Sequence, residues 1–296
     1  MDRFIDSHNH LHGFSFDDWE LQGMCGMVGS VISCGNPHVH REIWKRAPEP
    51  EDVRRLWESP LRMAEAAEAK HHIRAMCAVG VSSMTRVDGW ERLIDELPGY
   101  LENERVAALG EVGLDPGQYF GFSWELEDQA RCLEAQARLA SELKKPLMLH
   151  TPTYKNPKEF LGGVDTQGEV SPEEFRLHYL KMDLEIINAA GLDHALLVID
   201  HVDATIVDFV HEETGAWCAT SLGSRLRPIP PSAVVEWVRR HGAGRIMLNS
   251  DLIPYTSNDL YCIPRAIRAM RRGGIAEAEI EKAAFGNANA LFGFGL

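Results

Sequence analysis

Eight short apolar runs punctuate the chain: FIDSH (4–8), MVGSVIS (27–33), IRAMCAVG (73–80), VAALGEVG (106–113), PLMLHT (146–151), ALLVIDH (195–201), AWCATS (216–221) and RIMLNSD (245–251). Several are continuously apolar rather than alternating, the pattern of parallel strands covered on both faces. Between the runs, apolar residues recur with helical period. Over 123–143, Leu126, Ala130, Leu133, Ala137 and Ala140 share one face, with charges opposite. Segment 171–190 opens on Ser171-Pro172-Glu173-Glu174. Ser171 caps a helix there, Pro172 fits its first turn and Glu174 completes a capping box. Further helices are expected over about 51–71, 88–102, 203–213, 231–241, 259–272 and 277–291.

Eight strands alternating with helices predict an α/β fold, a (β/α)8 TIM-like barrel, as a single domain spanning residues 1–296. An open doubly wound sheet is the alternative, but no Gly-rich phosphate fingerprint follows the first strand. Two connections are long for a barrel, about 34–50 and 152–171. Both follow strands, so both are expected at the catalytic face, where substrate contact is sought.

The net charge of −14, from 30 Lys and Arg against 44 Asp and Glu, argues against a broad nucleic-acid-binding surface. It leaves room for a local basic pocket or a metal site. No run approaches the ~18–20 apolar residues of a membrane span. The start, MDRFIDSHNHLHG, lacks the basic and apolar regions of a secretory signal, so a cytoplasmic protein without membrane association is expected. Six scattered cysteines, Cys25, Cys34, Cys77, Cys132, Cys218 and Cys262, form no CxxC pair and read as reduced small hydrophobes.

The sharpest chemistry is His8-Asn9-His10 at the end of the first run. Residues two apart on a strand face the same way, so both imidazoles can reach one ion. Glu111 ends the fourth run, His150 the fifth, His201 the sixth and Asp251 the eighth. Strand ends converge at the mouth of a barrel. A lone strand-end His is commonly a satisfied hydrogen-bonding residue. Six ionisable residues on five strand ends would be costly together without a cation.

The series DSHNH (6–10), GEVGLD (110–115), LH (149–150), DH (200–201) and SD (250–251), with GNANALFG (286–293) near the C-terminus, resembles the TatD-type metal-dependent hydrolases of the amidohydrolase superfamily. The resemblance spans nearly the whole chain. It implies one or two divalent ions (Zn, Mn, Mg, Fe or Co). By that analogy His8, His10 and Asp251 hold the first ion, His150 and His201 the second, and Glu111 bridges them. It also implies a metal-activated water, with Asp251 accepting its proton. The bond attacked is a phosphodiester or a small ester or amide.

The sequence departs from the nuclease members around the metal shell. Thr151-Pro152-Thr153-Tyr154-Lys155 follows the fifth-strand His, where those members carry an Arg. DHVD stands in the sixth-strand segment and Asn249-Ser250-Asp251 in the eighth. Deoxyribonuclease activity is therefore one option. A lactonase- or esterase-type enzyme without nuclease activity is another, and a non-catalytic metal-stabilised barrel serving as a pathway partner is a third. The expected substrate is a small molecule or a nucleic-acid end. Lys155, Arg225 and Arg227 are candidates to neutralise an anionic substrate, with solvated loop charge as the plain alternative. Tyr154 and Tyr255 are candidates to line the pocket, and Asn249 and Asp203 to orient ligands. His38-Val39-His40 repeats the HxH spacing, but its surroundings favour an exposed loop.

Overall fold

A computed structural model describes residues 3–10, 15–34, 48–82, 86–117, 124–152, 171–223, 229–252 and 259–296. Among them, eight parallel strands pair in chain order. They are β1 (Phe4–Asn9), β2 (Met27–Ser33), β3 (Arg74–Val79), β4 (Val106–Val112), β5 (Leu147–Leu149), β6 (Leu197–Ile199), β7 (Trp217–Ser221) and β8 (Ile246–Asn249). Each lies within the run that predicts it or passes it by one residue.

The helices between them are α1 (Phe16–Met24), α2 (Pro50–His71), α3 (Trp90–Leu101), α4 (Leu126–Leu143), α5 (Pro172–Ala189), α6 (Val207–Glu213), α7 (Pro231–His241), α8 (Cys262–Arg272), α9 (Glu277–Glu281) and α10 (Asn287–Phe292). The Ser171 capping box forms as expected. Helix α1 is not among the sequence expectations. Only Trp19 and Gln22 of it are buried, so its apolar stripe is faint; the Ser15–Asp18 capping box is its clearest signal. The expected helix over 277–291 is three pieces, with a π-helical turn at Lys282–Gly286.

The strands are buried on both faces, which is why their runs do not alternate. Their outer side chains pack against the helices in one large cluster. Their inner side chains, Ile5, Val31, Met148 and Met247 among them, fill the barrel. Phe285, Phe292 and Phe294 join that inner cluster from the C-terminal segment. They plug the end where the strands begin: a Cβ at Gly29 would meet the Phe294 ring at 3.0 Å. Asn287 fixes the plug by donating to the carbonyls of Ala243 (2.8 Å) and Ile246 (2.7 Å).

At the seam, β1 meets the segment after β8 through the backbone. Asp251 N donates to His8 O (3.0 Å) and His10 N to Leu252 O (2.7 Å). Ser7 Oγ donates to Leu248 O (3.2 Å), and Asp6 accepts from the Ser250 amide (2.9 Å) and from its hydroxyl. The six cysteines are free thiols, five of them buried. Among the described residues, no helix is long and apolar enough to cross a membrane.

Two stability outcomes follow. Asn287→Ala removes the only side-chain donor described here to two carbonyls beneath the barrel, and should cost about 1–3 kcal/mol. A lower urea midpoint at unchanged m checks it. His211 of α6 stacks on His241 at the end of α7, with ring centroids 4.4 Å apart. Burial, with His241 and Arg245 nearby, pushes its pKa from 6.5 down to about 4. Between those values the unfolded chain binds more protons than the folded one. Stability from this group is therefore complete above 6.5 and is lost as pH falls toward 4. Urea unfolding at several pH values should show a shallower acid loss in His211→Gln.

Candidate metal centre

The mouth of the barrel brings together two sets of potential ligand atoms, each set within 4.8 Å of itself: His8, His10 and Asp251, and Glu111, His150 and His201. These are the six residues expected from the strand ends. Tyr154, Lys155, Arg225, Arg227, Tyr255, His38 and His40 lie outside the described residues.

The first set straddles the seam. Asp6 and Ser7 of DSHNH lock β1 to the far side, and Asn9 donates to Ser30 Oγ on β2 (2.7 Å). His8 and His10 are left pointing at the mouth, with their Nε2 atoms 3.1 Å apart. Asp251 Oδ1 lies 3.8 Å from His10 Nε2.

The second set spans β4, β5 and β6. Gly110 and Gly113 flank Glu111 in GEVGLD, and both have positive φ (141° and 153°). A Cβ at Gly113 would lie 2.3 Å from His150 O, and one at Gly110 2.7 Å from Met148 Cβ. Only glycine lets β4 approach β5 this closely. The approach puts Glu111 Oε1 2.7 Å from His150 Nδ1 and 2.5 Å from His201 Nε2. Glu111 Oε2 turns the other way, 3.8 Å from Nε2 of both His8 and His10. One buried carboxylate thus addresses both sets.

The far nitrogen of each ring faces an oxygen that could receive its proton. His8 Nδ1 is 3.1 Å from Asp200 Oδ2, and His10 Nδ1 is 3.2 Å from Ser33 O. His150 Nε2 is 3.0 Å from Asp115 Oδ2, and His201 Nδ1 is 2.7 Å from Ser221 Oγ. A neutral imidazole with its proton on the far side offers a lone pair on the near side. The near nitrogens of His8 and His10 then face each other with lone pairs, and those of His150 and His201 face a carboxylate. That is a donor set for cations. The mix of imidazole and carboxylate suits borderline divalent ions, and separations of roughly 3–4 Å match ligands each ~2.1 Å from one ion.

The electrostatics agree. Burial alone would lower His8, but Asp200 and Glu111 together outweigh it and raise its pKa to about 10. His150 rises to about 9 against burial, through Glu111 and Asp115. Burial would raise Glu111, yet His150, His8 and His201 hold it well below the usual carboxylate range. The cluster thus favours positive charge around Glu111.

Sequence reasoning missed two carboxylates behind the ligands, Asp115 and Asp200. Both stand inside quoted motifs, but each partners a histidine on another strand. Asn249 holds Asp200 (Nδ2 to Oδ1, 2.9 Å), which in turn faces His8. Asp203 pairs with Arg176 instead of a ligand. Carboxylates in this position fix the ring and raise its basicity. Asp115→Asn and Asp200→Asn should each weaken metal binding about 10–100-fold, read by competition with a chromogenic chelator.

The family model described as TatD related DNase matches residues 5–293. A relative from Methanocaldococcus jannaschii, described as an uncharacterized metal-dependent hydrolase, is 26% identical over 97% of this chain and 99% of its own. The crystal structure of a TatD-like protein from Archaeoglobus fulgidus superposes with a TM-score of 0.67 at 23% identity, covering 98% of this chain and 99% of that one. The phosphotriesterase homology protein of Escherichia coli, with phosphate in its active site, gives 0.62 at 14% identity over 99% and 100%. Matched across nearly its whole length, the chain belongs to the TatD related DNase family and is a metal-dependent hydrolase of that family.

Proposed function

We propose that the chain is a two-ion hydrolase whose ligands are His8, His10 and Asp251 on one side and His150 and His201 on the other, with Glu111 shared between them. The observation that carries this reading is the split of Glu111, one oxygen toward each pair of imidazoles. Divalent ions bound there supply Lewis acidity, lowering the pKa of a water and drawing electron density from the scissile group. The protein's own part is geometric and electrostatic. The far-side partners Asp200, Ser33, Asp115 and Ser221 keep the four rings oriented. Burial excludes bulk water from all but one edge.

Asp251 forms that edge. Its side chain is 14% exposed, against 8% or less for the other five. It is also poised between the sets, with Oδ2 3.6 Å from His201 Nδ1. We assign it the proton taken from the attacking water.

The substrate class is a phosphodiester or a small ester- or amide-type bond. The phosphate held by the Escherichia coli structural neighbour favours a phosphoester. Lys155, Arg225, Arg227 and Tyr154 are the proposed contacts for an anionic substrate.

Chelator-stripped protein reloaded with Mn or Zn should hydrolyse at least one member of a panel of phosphodiesters, esters, lactones and amides. Asp251→Asn should lower kcat by on the order of 10²–10⁴ even at saturating metal. A fully loaded parent without turnover on any member would instead favour the non-catalytic barrel.

A further inference from the structure

Helix α5 carries two polar side chains buried as deeply as the core, Arg176 (2% exposed) and Asp183 (0%). They lie about two turns apart on the face that also buries Leu180 and Leu184. A guanidinium taken out of water is costly unless its donors are met. Arg176 Nη2 donates to Thr151 Oγ1 (2.7 Å) and to His201 O (2.7 Å), while Nη1 pairs with Asp203. The Thr151 hydroxyl in turn donates to Asp200 O (2.7 Å). One side chain therefore ties the end of β5, next to His150, to the end of β6 at His201. His201 needs the hold, because its φ of 59° lies in the left-handed region that a non-glycine residue rarely adopts.

Asp183 serves the neighbouring strand. Its Oδ1 accepts from the amide of Leu114 (2.9 Å), between Glu111 and Asp115. Burial pushes its pKa well above the ordinary carboxylate value. Among the described residues, the seam is held by Asp6, Ser7 and the backbone bonds of His8, His10 and Asp251.

We infer that α5 is the template for one metal subsite: Arg176 and Asp183 are positioning residues that hold the strand ends carrying Glu111, His150 and His201, whereas the subsite at the seam forms without them. The inference rests on the two-ion reading above.

Calorimetric titration of chelator-stripped protein with Zn or Mn tests it without recourse to turnover. The parent should bind about two ions per chain. Arg176→Met should weaken one of them about 10–100-fold and leave the other within about twofold, with circular dichroism unchanged. Arg176→Lys should not restore the lost ion, because a single ammonium cannot serve the same fork of acceptors. Asp183→Asn keeps the carbonyl acceptor and should retain the second ion better than Asp183→Leu. In a His150→Ala background, Arg176→Met should leave the remaining ion unaffected. If Arg176→Met does not fold, Thr151→Val removes the hydroxyl link at nearly constant volume and should show the same one-ion loss in smaller measure. A parent that binds no ion overturns the two-ion reading and this inference with it. A parent that binds two ions, with variants that bind both as tightly or weaken both equally, overturns the inference alone.

Discussion

Everything at the mouth of this barrel is organised around one buried carboxylate. Glu111 sits among four imidazoles, and each ring has an acceptor or a hydroxyl behind it. In the tautomer with protons on the far nitrogens, the near ones would present lone pairs to one another and to Glu111. Such an arrangement repels itself unless positive charge enters. Four carboxylates surround the rings: Glu111, Asp115, Asp200 and Asp251. With neutral imidazoles, two divalent ions would balance them. The overall charge of −14 has little to do with this centre, since these four are a small part of the 44 acids.

The same barrel divides its two ends between opposite tasks. Where the strands begin, aromatic side chains and Asn287 seal the interior with apolar packing and satisfied carbonyls. Where the strands end, the interior is polar, and hydrogen bonds replace packing as the source of order. The sequence motifs divide accordingly. DSHNH supplies ligands and also the bonds that close the seam. GEVGLD supplies the shared carboxylate, the glycines that let two strands approach, and Asp115 behind His150. GNANALFG belongs wholly to the plug.

Much of the fold was legible because parallel strands covered on both faces leave uninterrupted apolar runs. Helix α1 escaped because it buries little, and a stripe made of Trp19 and Gln22 is no stripe on a hydropathy scale. The candidate ligands were legible because strand ends are where a barrel gathers its chemistry. Their partners were not. Asp200 adjoins His201 in sequence yet reaches His8 across the barrel, and no local pattern distinguishes those two choices. Gln129 and Gln136 of α4 stand in no motif that would single them out. In the fold they clamp Asp115 and Val81 through paired backbone bonds.

The Thr151 and Arg176 links, by contrast, have their cause in strand length. β5 and β6 are only three residues long, so His150, Thr151, Asp200 and His201 lie beyond the regular ladder. Backbone groups there still need partners in a buried setting. Some find them in neighbouring backbone, as Asp200 N does at Leu149 O (2.8 Å). The carbonyls of Asp200 and His201 find Thr151 and Arg176 instead. Ending the strands early frees the ligands from the flat geometry of a sheet, and His201 can then take its left-handed conformation. The freedom must be removed again for the rings to converge. Arg176, reaching in from α5 to the His201 carbonyl, is one side chain placed to do that, though it is not itself among the candidate ligands.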